Sequence, residues 1–283
     1  MAGGGNAFDA ACAAMMTACV CEPVLASPGG GGFLMAREAG GRATLYDFFA
    51  RTPRAKRPVE EIEFSAIHAD FGPAQQEFHI GAGSAATPGF VPGLFAVHGD
   101  LGHLPMNRVA EPAIRAARAG VPTEPMHVYI YTVVAPILMA TEAARALFTP
   151  AGSLPEAGEV LANPDIAATF AALADQGPDH FVDGPIGRAI CAQAERFGGH
   201  LTAEDLRGYR VVRRAPLEWE HRGHRLALNP APAASGPLIA LALAFCAGEE
   251  RAPQPDALAA IMQRVNAARA RESQCWRRAA FVK

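Results

Sequence analysis

The segment Gly29-Gly30-Gly31-Gly32-Phe33-Leu34-Met35-Ala36 passes abruptly from bare backbone to a short apolar run. Four successive glycines carry no Cβ, so the backbone there can approach another segment, or a small ligand, more closely than any other residue type allows. The apolar run reads as a strand. A second strand, 43–48, follows the Gly40-Gly41 turn, so the two form a hairpin. Upstream, residues 6–21 read as a helix with Asn6 as its cap and Asp9 at the third helical position. Its many small side chains imply close packing on several sides. Glu22-Pro23 ends it, because proline disfavours the helical region for the residue before it.

Further on, residues 51–58 form a polar loop with Arg51, Arg54, Lys56 and Arg57. After the Thr87-Pro88-Gly89 turn, helical periodicity resumes over 91–101. The next helix, 107–119, turns Val109, Ala113, Ile114 and Ala117 inward and Arg108, Arg115 and Arg118 outward. Helices also fit 124–148, 164–176, 185–197, 237–247 and 257–272. Asn163-Pro164 makes a good start, and Thr202 with Asp205 resembles a capping box. Residues 217–221 and 224–228, joined by Arg222-Gly223, read as a β-hairpin. Hairpins mixed with many helices predict an α+β fold in which helices cover sheets.

The chain has 283 residues, half of them hydrophobic, which is enough to bury a full core without disulfide or metal staples. A net charge of −3 gives no sign of a basic nucleic-acid-binding surface. The longest nearly apolar run, 128–140, contains Pro136 and is too short to cross a bilayer about 30 Å thick. Residues 1–25 lack the basic start of a secretory signal. That fits a cytoplasmic location by default, and an exported one if the N-terminus is incomplete. Cys12, Cys19 and Cys21 share the first helix and no C-x-x-C occurs, so buried thiols are expected rather than a metal or redox centre.

Each candidate chemical motif has a plain structural alternative. The Gly29–Gly32 run offers backbone N–H groups to an anion, but no Lys-Ser/Thr follows and a strand replaces the helix of a P-loop. Close backbone approach is the better reading. His221 and His224 flank a hairpin turn, but zinc requires further ligands that the sequence does not supply nearby. The arginines of 51–57 suit a carboxylate or phosphate, or simply a solvated loop.

Several segments taken in order resemble the γ-glutamyltransferase (γ-glutamyltranspeptidase, glutathione hydrolase) family. Residues 4–11, Gly-Gly-Asn-Ala-Phe-Asp-Ala-Ala, are similar to its G-G-N-A-x-D-A-A helix start. Glu22-Pro23 followed by Gly29–Gly32 and Phe33 resembles its E-P…G-G-G-G-F segment. Val91-Pro92-Gly93, Glu111-Pro112-Ala113-Ile114, Gly198-Gly199-His200-Leu201-Thr202 through Asp205-Leu206 to Tyr209, and Ser235-Gly236 complete the series. The resemblance implies an N-terminal-nucleophile hydrolase fold, an αββα sandwich, of which residues 1–283 would be a single, incomplete, large-subunit domain. It also implies γ-glutamyl hydrolysis or transfer by the N-terminal threonine of a small subunit cut from the same precursor, with no cofactor or metal. That small subunit and a small-molecule amide are the implied partners.

Two departures follow. The family's T-T-H-x-S nucleophile segment is absent from these residues, so no catalytic nucleophile is assigned here and the chain alone is expected to be inactive. The family arginine that holds the glutamyl α-carboxylate falls on Phe49. Arg51, two residues on, is the candidate substitute, and Gly29, Gly30, Gly31 and Gly32 are expected near the site. The alternatives are a non-catalytic binding protein or an amidohydrolase with a non-glutamyl acyl substrate.

Overall fold

The computed structural model describes residues 3–247 and 254–280. In chain order the elements are α1 (Ala7–Cys21), β1 (Gly32–Arg37), β2 (Ala43–Phe48), β3 (Ser65–Asp70), β4 (Gln75–Ile80), α2 (Phe90–Leu101), α3 (Met106–Ala119), β5 (Val121–Pro122), α4 (Pro125–Val133), α5 (Ala135–Leu138) and α6 (Glu142–Phe148). They continue with β6 (Val160–Leu161), α7 (Pro164–Gln176), α8 (Asp179–Val182), α9 (Pro185–Arg196), α10 (Ala203–Gly208), β7 (Val212–Arg214), β8 (Leu217–His221), β9 (His224–Leu228), α11 (Ser235–Phe245) and α12 (Pro255–Ala280). The fold is α+β, as expected. Its contacts divide it into two compact units, residues 1–32 with 48–211, and residues 33–47 with 212–283.

In the first unit α3 lies between α1 and α7. Its inward residues Val109, Ala110, Ala113 and Ala117 are buried, whereas Ile114 is only half-buried. Small side chains let helix axes approach closely, and α1 buries Cys12 and Cys19 together with the larger Met16. Burial pushes the Cys12 thiol up to about 11 and that of Cys19 to about 12, which leaves both as inert, thiol-protonated core residues.

The start of α1 is tied to the α2–α3 connection by one buried carboxylate. Asn6 accepts from the N–H groups of Phe8 and Asp9, and Asp9 accepts from the Asn6 N–H at 2.8 Å, closing a capping box. The other Asp9 oxygen accepts from the N–H groups of His103 at 2.9 Å and Leu104 at 3.2 Å. Burial pushes this carboxyl up, but those three backbone donors pull harder, and the net value lies below 3.8.

The single helix expected over 124–148 is three. Pro136 lacks the N–H that would continue the ladder, and its ring clashes with the carbonyl four residues back. Val134 therefore ends α4, and Thr141 opens α6 by accepting the Ala144 N–H at 3.1 Å. Tyr131, Leu138 and Phe148 from the three pieces share one buried cluster. The ribbon β3–β4 was not foreseen. Its turn at Gly72, with φ +86°, carries the Gly72-Pro73 punctuation that marks it.

In the second unit β1, β2 and β7 form a sheet in that order, and β8–β9 form a ribbon on which α11 packs. Arg214 Nε donates to Asp47 Oδ2 across β2 and β7 at 2.9 Å. Arg222 and Gly223, both at positive φ, make the tight hairpin turn between β8 and β9.

The Asp9 arrangement fixes an expected pH response. A carboxylate with a depressed folded-state pKa contributes stability above its unfolded value, about pH 4, and loses it as pH falls through the folded value. Asp9→Asn should therefore lower Tm at pH 7 and flatten the acid limb of a Tm–pH profile between pH 4 and 2. An acid limb identical to that of the unmodified protein would contradict this role.

Candidate functional site

The candidate residues converge on the backbone of residues 48–54, where β2 ends and the arginine-bearing loop begins. Phe48 is buried and its ring lies against Gly93 of α2, where a Cβ would fall 2.6 Å from the Phe48 Cβ. The glycine run lies alongside. A Cβ built on Gly31 would sit 2.6 Å from the Phe48 carbonyl oxygen and 2.9 Å from the Phe49 carbonyl carbon, inside any tolerable contact. The expected close approach is thus present, and its cause is steric. None of Gly29–Gly32 is at positive φ, so backbone handedness is not what requires glycine here. The Gly30 carbonyl accepts from the N–H groups of Gly89 at 2.9 Å and Phe90 at 3.0 Å, joining the run to the start of α2.

Four further bonds hold the segment itself. The Phe49 carbonyl accepts the Tyr209 hydroxyl at 2.9 Å. Arg51 and Thr87 exchange both backbone bonds, at 3.0 and 2.7 Å, as an isolated antiparallel bridge. The Arg54 N–H donates to Asp205 Oδ1 at 2.9 Å. Asp205 is the buried third residue of α10 and closes the foreseen capping box with Thr202. Burial raises its pKa, but the Arg54 N–H and the Thr202 hydroxyl and N–H outweigh burial and bring it below 3.8. Gly89 makes room at the centre, because a Cβ there would overlap both the Phe48 carbonyl oxygen and the Tyr209 hydroxyl.

On this rigid backbone the side chains divide. Phe49 is 57% exposed, a large apolar surface left in water. Arg51 is exposed and its guanidinium carbon lies 5.0 Å from the Tyr209 ring centroid, a cation–π geometry. Of the other loop cations, Arg57 is tethered elsewhere. It donates through Nε to the Gly199 carbonyl at 2.6 Å and through its N–H to His200 Nδ1 at 3.1 Å. The structure therefore brings Gly31, Gly30 and Arg51 to one place, with Thr87, Gly89 and Tyr209 as partners that sequence reasoning did not single out. Among the described residues no group of three or more His, Cys, Asp or Glu side chains is placed to hold a metal ion, and His221 and His224 face each other only as a strand pair.

Residues 1–272 match the family model described as Gamma-glutamyltranspeptidase. The chain belongs to the gamma-glutamyltranspeptidase family. It is 30% identical over 234 residues to the glutathione hydrolase proenzyme of Escherichia coli (strain K12), covering 82% of this chain and 40% of that protein. It is 31% identical over 246 residues to the acylase ACY 1 proenzyme of Pseudomonas sp. (strain V22), covering 87% of this chain and 44% of that one. The solved gamma-glutamyltranspeptidase from Pseudomonas nitroreducens complexed with L-DON matches with a TM-score of 0.77 and 29% identity, over 95% of this chain and 80% of that chain. The chain thus spans about 40% of the length of the curated relatives it matches. The family match runs through both compact units.

Glycine substitution separates close approach from loop flexibility. Gly31→Ala should destabilise strongly, by about 2–3 kcal/mol or more, because the opposing atoms are backbone and cannot move aside. Gly29→Ala meets only the Ser27 hydroxyl at 3.5 Å and should fall within about 0.5 kcal/mol of wild type. Equal denaturation midpoints for the two variants would refute the steric account.

Proposed function

We propose that these residues form the large-subunit, acyl-orienting part of a γ-glutamyltransferase-like amidohydrolase, which hydrolyses or transfers γ-glutamyl groups of glutathione-type amides. The family match over residues 1–272 carries this reading. The nucleophile is an N-terminal threonine outside these 283 residues, on the small-subunit portion of the same precursor, and relatives named as proenzymes support that partnership. Its own α-amino group serves as base, and the acyl group passes to water or to an amine. The residues present here orient the acyl group. The glycine run and Tyr209 fix the backbone of 48–54, and the Arg51 guanidinium receives the acyl carboxylate in place of the arginine that the family carries at position 49. An exposed guanidinium on a fixed backbone suits that task, since an arginine fork pairs with a carboxylate at little cost in order.

A second reading is favoured by Phe49. An apolar ring, 57% exposed, stands where the resemblance places the carboxylate-binding arginine, and an acylase is among the relatives. Under this reading the acyl group is not glutamyl and packs on Phe49. A non-catalytic binding role would leave both activities absent from the assembled protein.

The 283-residue chain alone should show no turnover of γ-glutamyl anilides, and clear turnover would overturn an external nucleophile. Assembled with the nucleophile-bearing portion, it should turn over, and Arg51→Ala should raise KM for carboxylate-bearing acyl amides about 10-fold or more, the loss of a charge-assisted hydrogen bond. An unchanged KM in Arg51→Ala, with faster turnover of apolar acyl amides, would select the second reading.

A further inference from the structure

The clamp on residues 48–54 has one member whose two chemical functions meet at a single side chain. Tyr209 is buried, 6% exposed, and caps the C-terminal end of α10. Its hydroxyl donates to the Phe49 carbonyl, and its ring lies under the Arg51 guanidinium. The other holds on the segment grip backbone only: Thr87 at Arg51, Asp205 at Arg54. These leave the long Arg51 side chain its rotamer freedom, which a face of π density below the cation restricts. The Tyr209 position is itself over-determined. Gly89 has no Cβ where the hydroxyl lies, and α10 is anchored three residues earlier by the buried Leu206 and four earlier by Asp205.

We propose that Tyr209 is the positioning residue that sets acyl-group specificity, holding the Arg51 guanidinium at a fixed distance and direction from the Phe49 surface. This rests on the reading in which Arg51 receives the acyl carboxylate. Tyr209 touches no substrate. It selects among acyl groups by deciding where the Arg51 guanidinium stands, so donors with a carboxylate at the matching reach are preferred over longer and shorter ones. The hydroxyl and the ring contribute separately. The hydroxyl keeps residue 49 in register with residue 51, and the ring restricts the directions the exposed guanidinium takes.

The test uses the assembled enzyme and a series of acyl anilides whose terminal carboxylate lies at graded distances from the amide. Tyr209→Leu should raise KM for the best carboxylate donor about two- to five-fold and flatten the length preference, with kcat changed less than two-fold, since an exposed cation–π contact is lost. Tyr209→Phe keeps the ring and should restore most of the length preference. In an Arg51→Ala background neither substitution should change KM further. Independently of turnover, the Arg51 side-chain resonances of the assembled enzyme should be ring-current shifted in wild type and Tyr209→Phe, and unshifted in Tyr209→Leu. If Arg51→Ala alters KM and Tyr209→Leu does not, the role of Tyr209 is overturned while the acyl reading stands. If Arg51→Ala leaves KM unchanged, the underlying reading fails. Unshifted Arg51 resonances in wild type overturn the contact itself.

Discussion

The absent Cβ of Gly31 is the constraint from which the site follows. It lets one backbone lie directly on another, with atoms of Phe48, Phe49 and Ala50 where any other residue would project a side chain. That approach brings the glycine run beside the end of β2, and the Gly30 carbonyl then reaches the first N–H groups of α2. A helix start leaves such donors without intrahelical partners, so the bond satisfies groups that would otherwise need water. Gly89 and Gly93 repeat the device on the other side of Phe48. Three glycines thus surround one aromatic side chain and its carbonyl. The exposed Phe49 and Arg51 are presented on a backbone that has almost no freedom left.

Two buried carboxylates do for the helices what the glycines do for the strand end. Asp9 and Asp205 are each the third residue of a helix, and each closes a capping box at home. Each also spends its remaining acceptor capacity on backbone N–H groups far along the chain, at residues 103 and 104 in one case and at residue 54 in the other. Local helix initiation and long-range tertiary fixation therefore share an atom group. Protonation of either carboxyl weakens its helix cap and its long-range contacts together, and both carboxyls lie below their ordinary value.

The parts legible in the sequence are those whose signal is local. The Asn6–Asp9 and Thr202–Asp205 boxes, the Arg222-Gly223 turn and, apart from the half-buried Ile114, the amphipathic stripe of α3 each reside within one element, and each is formed as read. The uninterrupted helix over 124–148 was misread because apolar periodicity outweighed Pro136, and the β3–β4 ribbon was passed over because an exposed two-stranded ribbon has little apolar alternation to show. The close approach at Gly31 was legible from glycine chemistry, and Arg51 enters as a candidate through family resemblance. Thr87, Gly89 and Tyr209 were not, because their importance lies in contacts as much as 160 residues apart in the chain. The motif that ends at Tyr209 carries the family resemblance but gives no sign of its contact with residues 49 and 51.

The central claim is that the fixed segment 48–54 receives the acyl group. It is tested most directly by the structure of the assembled enzyme with a non-hydrolysable γ-glutamyl amide bound. The account expects the ligand carboxylate within about 4 Å of the Arg51 guanidinium, at ion-pair distance, with the acyl chain lying along Phe49. A carboxylate held by a cation outside residues 48–54, or an acyl chain that leaves Phe49 in solvent, would contradict it.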